Sequence, residues 1–148
     1  MPNPIARLLA SPWFGVLARL MLTFVFWSAG LAGVFDFAGK VAEMRAAGLT
    51  PAMFFAAAVT LVQLGGSAAI IANRLTWLGA GALGVFLALT IPIAHPFWQM
   101  PEPQRTFEFY VVLEHVSLIG GLMVAAILSH RHARMVAMMG VPKLVPFL

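Results

Sequence analysis

Five side chains in this sequence stand where apolar packing has no use for them: Asp36, Gln63, His95, Glu114 and His115, each within or at the end of a long apolar run. A charged group in such a run costs on the order of 2.5–3.5 kcal/mol at mid-membrane, so these positions are the first candidates for a site. Imidazole exchanges a proton near neutral pH and ligates metals; a carboxylate holds a charge or a proton; an amide both donates and accepts. The set therefore allows a proton relay, hydrogen bonds to a small polar ligand, or metal binding. His95, His115 and Glu114, with Met100 nearby, are the weak candidates for a transition metal, since two imidazoles and a carboxylate suit one. The two histidines come from different helices, however, and no local motif sets their distance. The plain alternative is structural, with a ring bonded to Glu114 or to a backbone carbonyl.

Other chemistry is excluded or weak. The chain has no cysteine, which removes disulfides, thiolate metal sites and cysteine nucleophiles. No nucleophile elbow, phosphate loop, dinucleotide fingerprint or paired-carboxylate motif occurs. His130 and His132 sit among arginines in a C-terminal tail and suit solvent or lipid headgroups. The nine methionines follow no pattern and are ordinary apolar filling. The formal charge of +4 does not indicate nucleic acid, because the bases are scattered over loop ends rather than gathered on one face.

The elements that must position these residues follow from composition. With 61% of 148 residues hydrophobic and 9% charged, a water-soluble fold could not hide so much apolar surface. Apolar runs of about 20 residues match a hydrocarbon core of ~30 Å at 1.5 Å per residue. Four such runs are expected to span, at about 17–37, 51–72, 75–95 and 107–128. The fold class is thus all-α, an integral membrane four-helix transmembrane bundle forming one domain over 1–148. A short segment before Pro12 is expected along the interface, and a basic tail follows the last span. Retention of the first span, rather than cleavage as a signal, follows from its length. Asn73-Arg74 makes so short a connection that the second and third spans must be antiparallel neighbours.

Orientation follows from the bases. Arg7, Arg19, Arg74, Arg131, Arg134 and Lys143 fall on one side, and Lys40, Arg45 and Arg105 on the other, which places both termini in the cytoplasm. Asp36, Glu43, Glu102 and Glu108 then lie outward, with Glu114 in the outer half of the last span. All candidates but Gln63 belong to that outer half and are expected to converge on a cavity open to it. On the last helix Glu108 and His115 share one face, while Tyr110, Glu114, Ser117 and Gly121 form another about 100° away, and only one of the two can point straight into the bundle. Gln63, Gly66, Ser67 and Ile70 share a face of the second span. Small residues in every span, among them Gly30, Gly33, Gly65, Gly66, Gly79, Gly81, Gly84, Gly120 and Gly121, predict close helix contacts. Trp13, Trp27, Trp77 and Trp98 mark span ends.

Several stretches resemble the DoxX family of small four-helix bacterial membrane proteins over about residues 17–127. They are Arg19, Phe26-Trp27-Ser28-Ala29-Gly30, the Gly48-Leu49-Thr50-Pro51 turn, Gly65-Gly66, His95-Pro96-Phe97-Trp98 and Leu118-Ile119-Gly120-Gly121-Leu122. The chain departs from the family pattern at Gly33, where a lysine is common, at Gln63, where a glutamate is common, and at Glu114-His115, where a lysine and asparagine are common. The resemblance implies a bacterial cytoplasmic (inner) membrane protein, with another membrane or redox subunit and the lipid bilayer as partners. With quinone-linked members in that family, the leading expectation is that the outward polar cavity of Asp36, Gln63, His95, Glu114 and His115 binds a quinone headgroup or a similar small polar group. The chain is not expected to be an enzyme on its own. Two further readings stay open: an accessory subunit that only anchors a larger complex, and metal handling at the outward face.

Overall fold

The computed structural model describes residues 3–139, and among these every regular element is a helix. Lys143, counted above for orientation, lies outside them. The elements are α1 (Asn3–Leu9), α2 (Pro12–Leu22), α3 (Phe24–Phe35), α4 (Phe37–Ala46), α5 (Ala52–Ile71), α6 (Thr76–Ala94), a 3-10 turn (Phe97–Gln99) and α7 (Gln104–Met138).

Three of these are long and apolar enough, by length and composition, to cross a membrane: α5, α6 with its 3-10 turn, and α7. The pairs α1 with α2 and α3 with α4 pass the same test only as bent pairs, turning by 61° and 110°, so the crossings number three to five. Large apolar side chains point outward along every helix, among them Leu61, Val85 and Val116 at 72%, 61% and 57% exposure. In water such a surface would aggregate, whereas lipid solvates it. The molecule is a helical, multi-pass membrane protein.

The first run of apolar residues is not one straight helix. It is interrupted at Thr23, whose buried hydroxyl donates back to the Arg19 carbonyl at 2.7 Å, a local bond that competes with the helix ladder. The indole of Trp27 donates to the Leu20 carbonyl at 3.3 Å beside this interruption. Apolar pattern alone cannot register such a break. At the far end Asp36 caps α4 by accepting from the Gly39 N–H at 2.9 Å. The chain there turns through 110° into a helix where a loop was expected between the first two spans.

The α5–α6 pair is antiparallel, as the short connection requires, with Asn73 and Leu75 at positive φ in the turn. A Cβ placed on Gly79 would lie 2.6 Å from the Gly66 carbonyl oxygen, so the two backbones touch at this crossing. Gly30 packs on Leu64, Gly33 on the Thr60 hydroxyl, and Gly121 on Leu22. By contrast, Gly65, Gly81, Gly84 and Gly120 face open space, so only some of the expected small-residue contacts form. Phe26, Ile70, Ala80, Leu83, Leu87 and Leu122 make the core, drawn from α3, α5, α6 and α7.

The helices pack in the order α3, α5, α6, α7, and the ring is loosely closed where α2 meets α7. Leu22 against Gly121 bridges that seam, and Leu22 borders a groove on either side of the contact. The expected basic tail continues the helix of the last span. Helix α7 runs unbroken for 35 residues, about 52 Å at 1.5 Å per residue, and carries Ser129 to Arg134 on its last turns.

Candidate functional site

His95 ends α6, its backbone N–H shared between the Thr90 and Ile91 carbonyls. Its ring Nδ1 lies 2.7 Å from Oε2 of Glu108, in the second turn of α7. Two helical turns further along the same face stands His115, and the His95 and His115 rings meet edge to face with centroids 4.9 Å apart. Nδ1 of His115 lies 2.8 Å from the Val111 carbonyl oxygen. A carbonyl has no proton to give, so His115 donates from Nδ1. With Glu108 as a carboxylate, His95 does the same. Each ring therefore carries its proton on Nδ1 and leaves Nε2 without a protein partner. The His95 and Glu108 side chains are 24% and 15% exposed, which shields their hydrogen bond while leaving the group open at its rim. Phe97 packs edgewise on Phe109, centroids 5.4 Å apart, and ties the 3-10 turn to α7 next to Glu108.

The other expected site residues stand apart. Glu114 is exposed and lines a groove of about 520 Å³ on the α2–α7 seam with Leu22, Tyr110 and Ser117. Of the two stripes on the last helix, the Glu108–His115 stripe faces α6 and the Glu114 stripe faces the seam. Gln63 is buried at 5% exposure; its Cβ lies against Gly30, and its Oε1 has no hydrogen-bond partner. One turn along α5, the Ser67 hydroxyl is buried and equally unpartnered, whereas Thr60 on the same face donates to the Ala56 carbonyl at 2.8 Å. Asp36 is exposed and engaged in capping α4. The structure thus brings together His95 and His115, adds Glu108, and places Asp36, Gln63 and Glu114 elsewhere. Among the described residues no group of three or more His, Cys, Asp or Glu side chains is arranged to hold a metal ion.

Two features escaped sequence reasoning. Glu108 was not among the candidates, although its seven-residue spacing from His115 placed both on one face. The larger groove, about 580 Å³, lies at the opposite end of the molecule, between α2 and α7. Its signal in the sequence was Arg19, an arginine inside an apolar run. The Nε of Arg19 donates to the Ile71 carbonyl, the last residue of α5, at 3.1 Å.

No curated protein and no solved structure matches the chain. The sequence model of the DoxX family matches residues 15–96, from α2 through His95 and Pro96, leaving α7 with Glu108 and His115 beyond the matched region. That match spans more than half of the chain and includes the Arg19, Gly65-Gly66 and His95-Pro96 positions singled out above, and the chain belongs to the DoxX family.

Proposed function

We propose that this chain is a membrane subunit of a redox system whose His95–Glu108–His115 cluster binds a quinone headgroup and moves its protons. The carrying observation is the pair of touching imidazoles, each with Nδ1 engaged and Nε2 free, one of them backed by a carboxylate. In this reading α2 and α3 together make one crossing, so α5, α6 and α7 complete a four-helix bundle with both termini in the cytoplasm. Helix α1 lies along the interface. The membrane is the bacterial cytoplasmic membrane, and the cluster opens outward.

A bound quinone would supply two-electron redox chemistry coupled to proton transfer. The residues present fit that role. A neutral Nε2 accepts a hydrogen bond from a hydroxyl, and once protonated it donates one to a carbonyl. Glu108 holds the Nδ1–H of His95 and offsets the positive charge that protonation at Nε2 creates. His115, fixed by the Val111 carbonyl, presents its own Nε2 within the same group. Purification in mild detergent, solvent extraction and chromatography test the proposal. Quinone is expected at near one per chain, and to be lost from His95→Ala and His115→Ala; no quinone together with unchanged partner turnover in both variants would reject it.

A second reading, an anchoring subunit for a larger complex, has its own support. Only 6% of the most apolar stretch of α7 is buried, which leaves a long face for another membrane protein. Co-purification of a partner that survives His115→Ala with full activity would favour that reading over quinone handling.

A further inference from the structure

We infer that the 580 Å³ groove between α2 and α7 is a binding site for an anionic phospholipid, with Arg19 holding its phosphate. Helix α2 contributes Arg19 and Leu22, the α5–α6 turn contributes Asn73, and α7 contributes Val124, Leu128, Ser129 and His132. Arg19 engages the protein only through Nε, on the Ile71 carbonyl. That bond fixes the guanidinium plane and leaves the N–H bonds of both Nη nitrogens without a protein acceptor, in the fork geometry that matches a phosphate. Asn73 adds a second donor. Its Oδ1 lies 3.3 Å from the Thr76 hydroxyl and 3.4 Å from the Ser129 hydroxyl, so its amide nitrogen has both hydrogens free. His132 completes a rim of donors.

No carboxylate lines this groove. All five Asp and Glu residues of the chain lie elsewhere: Asp36 and Glu43 around α4, Glu102 in the turn before α7, and Glu108 and Glu114 in the first three turns of α7. Among the described residues the Arg19 charge therefore has no internal counter-ion, and an anion from outside is the complement the site lacks. A free phosphate would satisfy the charge but not the walls. Leu9, Val124 and Leu128 are 56%, 55% and 59% exposed beside the donors, and they continue the apolar surface of the seam. A headgroup at Arg19 with an acyl chain along α7 satisfies both. Arg19, Asn73 and Ser129 stand together where α5 ends and α6 begins, and in the proposed topology this end of the bundle meets the headgroup layer.

Native mass spectrometry of the full chain in detergent, titrated separately with phosphatidylglycerol, phosphatidylcholine and inorganic phosphate, tests the site. Phosphatidylglycerol is expected to bind one per chain about tenfold more tightly than phosphatidylcholine, a preference that Arg19→Gln abolishes and Arg19→Lys only weakens. Ala18→Phe, at an exposed wall position that leaves Arg19 and its bond to α5 in place, is expected to block both lipids by filling the groove. Equal binding of the two lipids would overturn the role of Arg19. Displacement of the lipid by millimolar inorganic phosphate would overturn the lipid as occupant. Undiminished phosphatidylglycerol binding in a folded Ala18→Phe variant would overturn the groove as the site.

Discussion

At the level of single residues, the informative contrast is between polar groups that have partners and those that do not. Glu108 and Glu114 are six residues apart on one helix and carry the same chemistry, yet only Glu108 touches an imidazole. Replacing Glu108 with Gln keeps the shape and removes the charge that stabilises a protonated His95. On the proposed quinone role, quinol-linked turnover of the membrane system is expected to fall about 100-fold, as for loss of a general acid–base partner, while Glu114→Gln stays within about twofold. Equal effects of the two would dissociate the His95–Glu108 pair from function. Ser67 offers a stability test. Its buried hydroxyl has no partner, so Ser67→Ala removes a desolvated group and is expected to leave the unfolding midpoint unchanged or raise stability by up to about 1 kcal/mol. A clear loss in a detergent thermal melt would mean that a bound water or ligand satisfies this hydroxyl.

At the level of helices, glycine content misleads unless contacts are known. The third apolar run carries Gly79, Gly81 and Gly84, and all three look like packing positions in the sequence. Only Gly79 meets another backbone, because it lies on the face of α6 that crosses α5 at Gly66, with Leu83 one turn along on the same face, whereas Gly81 and Gly84 lie on the far side of the helix and point into open space. Gly79→Ala is expected to cost about 1–3 kcal/mol, as overpacking does, and Gly81→Ala to cost nothing measurable. Thermal melts of the two variants side by side check this, and equal stability would mean that the α5–α6 crossing is looser than a backbone contact between Gly79 and Gly66 requires. Two breaks were also hidden at this level. Thr23 interrupts the first run through a side-chain bond to its own backbone, and Asp36 turns the chain into α4 by capping. Both effects arise from one hydroxyl or carboxylate, which a hydropathy pattern does not weigh. The basic stretch after Leu128 is helical as well: its charges signal departure from lipid, but Ala, Met, Arg and His are all compatible with a continuing helix, and α7 runs on.

At the level of the whole molecule, the distribution of charge makes one end basic and the other acidic, and the proposed sidedness depends on an even number of crossings. The absence of cysteine makes this simple to measure, since any introduced thiol is unique. Single replacements Arg7→Cys and Arg131→Cys are expected to react with impermeant maleimide only from the cytoplasmic side, and Gln99→Cys only from the outer side. Opposite sidedness of Arg7→Cys and Arg131→Cys would indicate three or five crossings and invert the site relative to one terminus. Composition and run length by themselves determined that this chain is helical and belongs in lipid, because continuous apolar runs of about 20 residues fit a helix that satisfies its own hydrogen bonds across the hydrocarbon core, whereas barrel strands are shorter and alternate. The short turn at Asn73-Arg74 likewise determined that α5 and α6 are neighbours. Which stripe of α7 faces α6, and hence whether Glu108 or Glu114 joins the histidines, was decided only by the rotation of that helix in the packed bundle. Helix rotation depends on a handful of contacts, Gly79 with Gly66 and Gly121 with Leu22 among them, and such contacts between distant residues are not written in any local spacing.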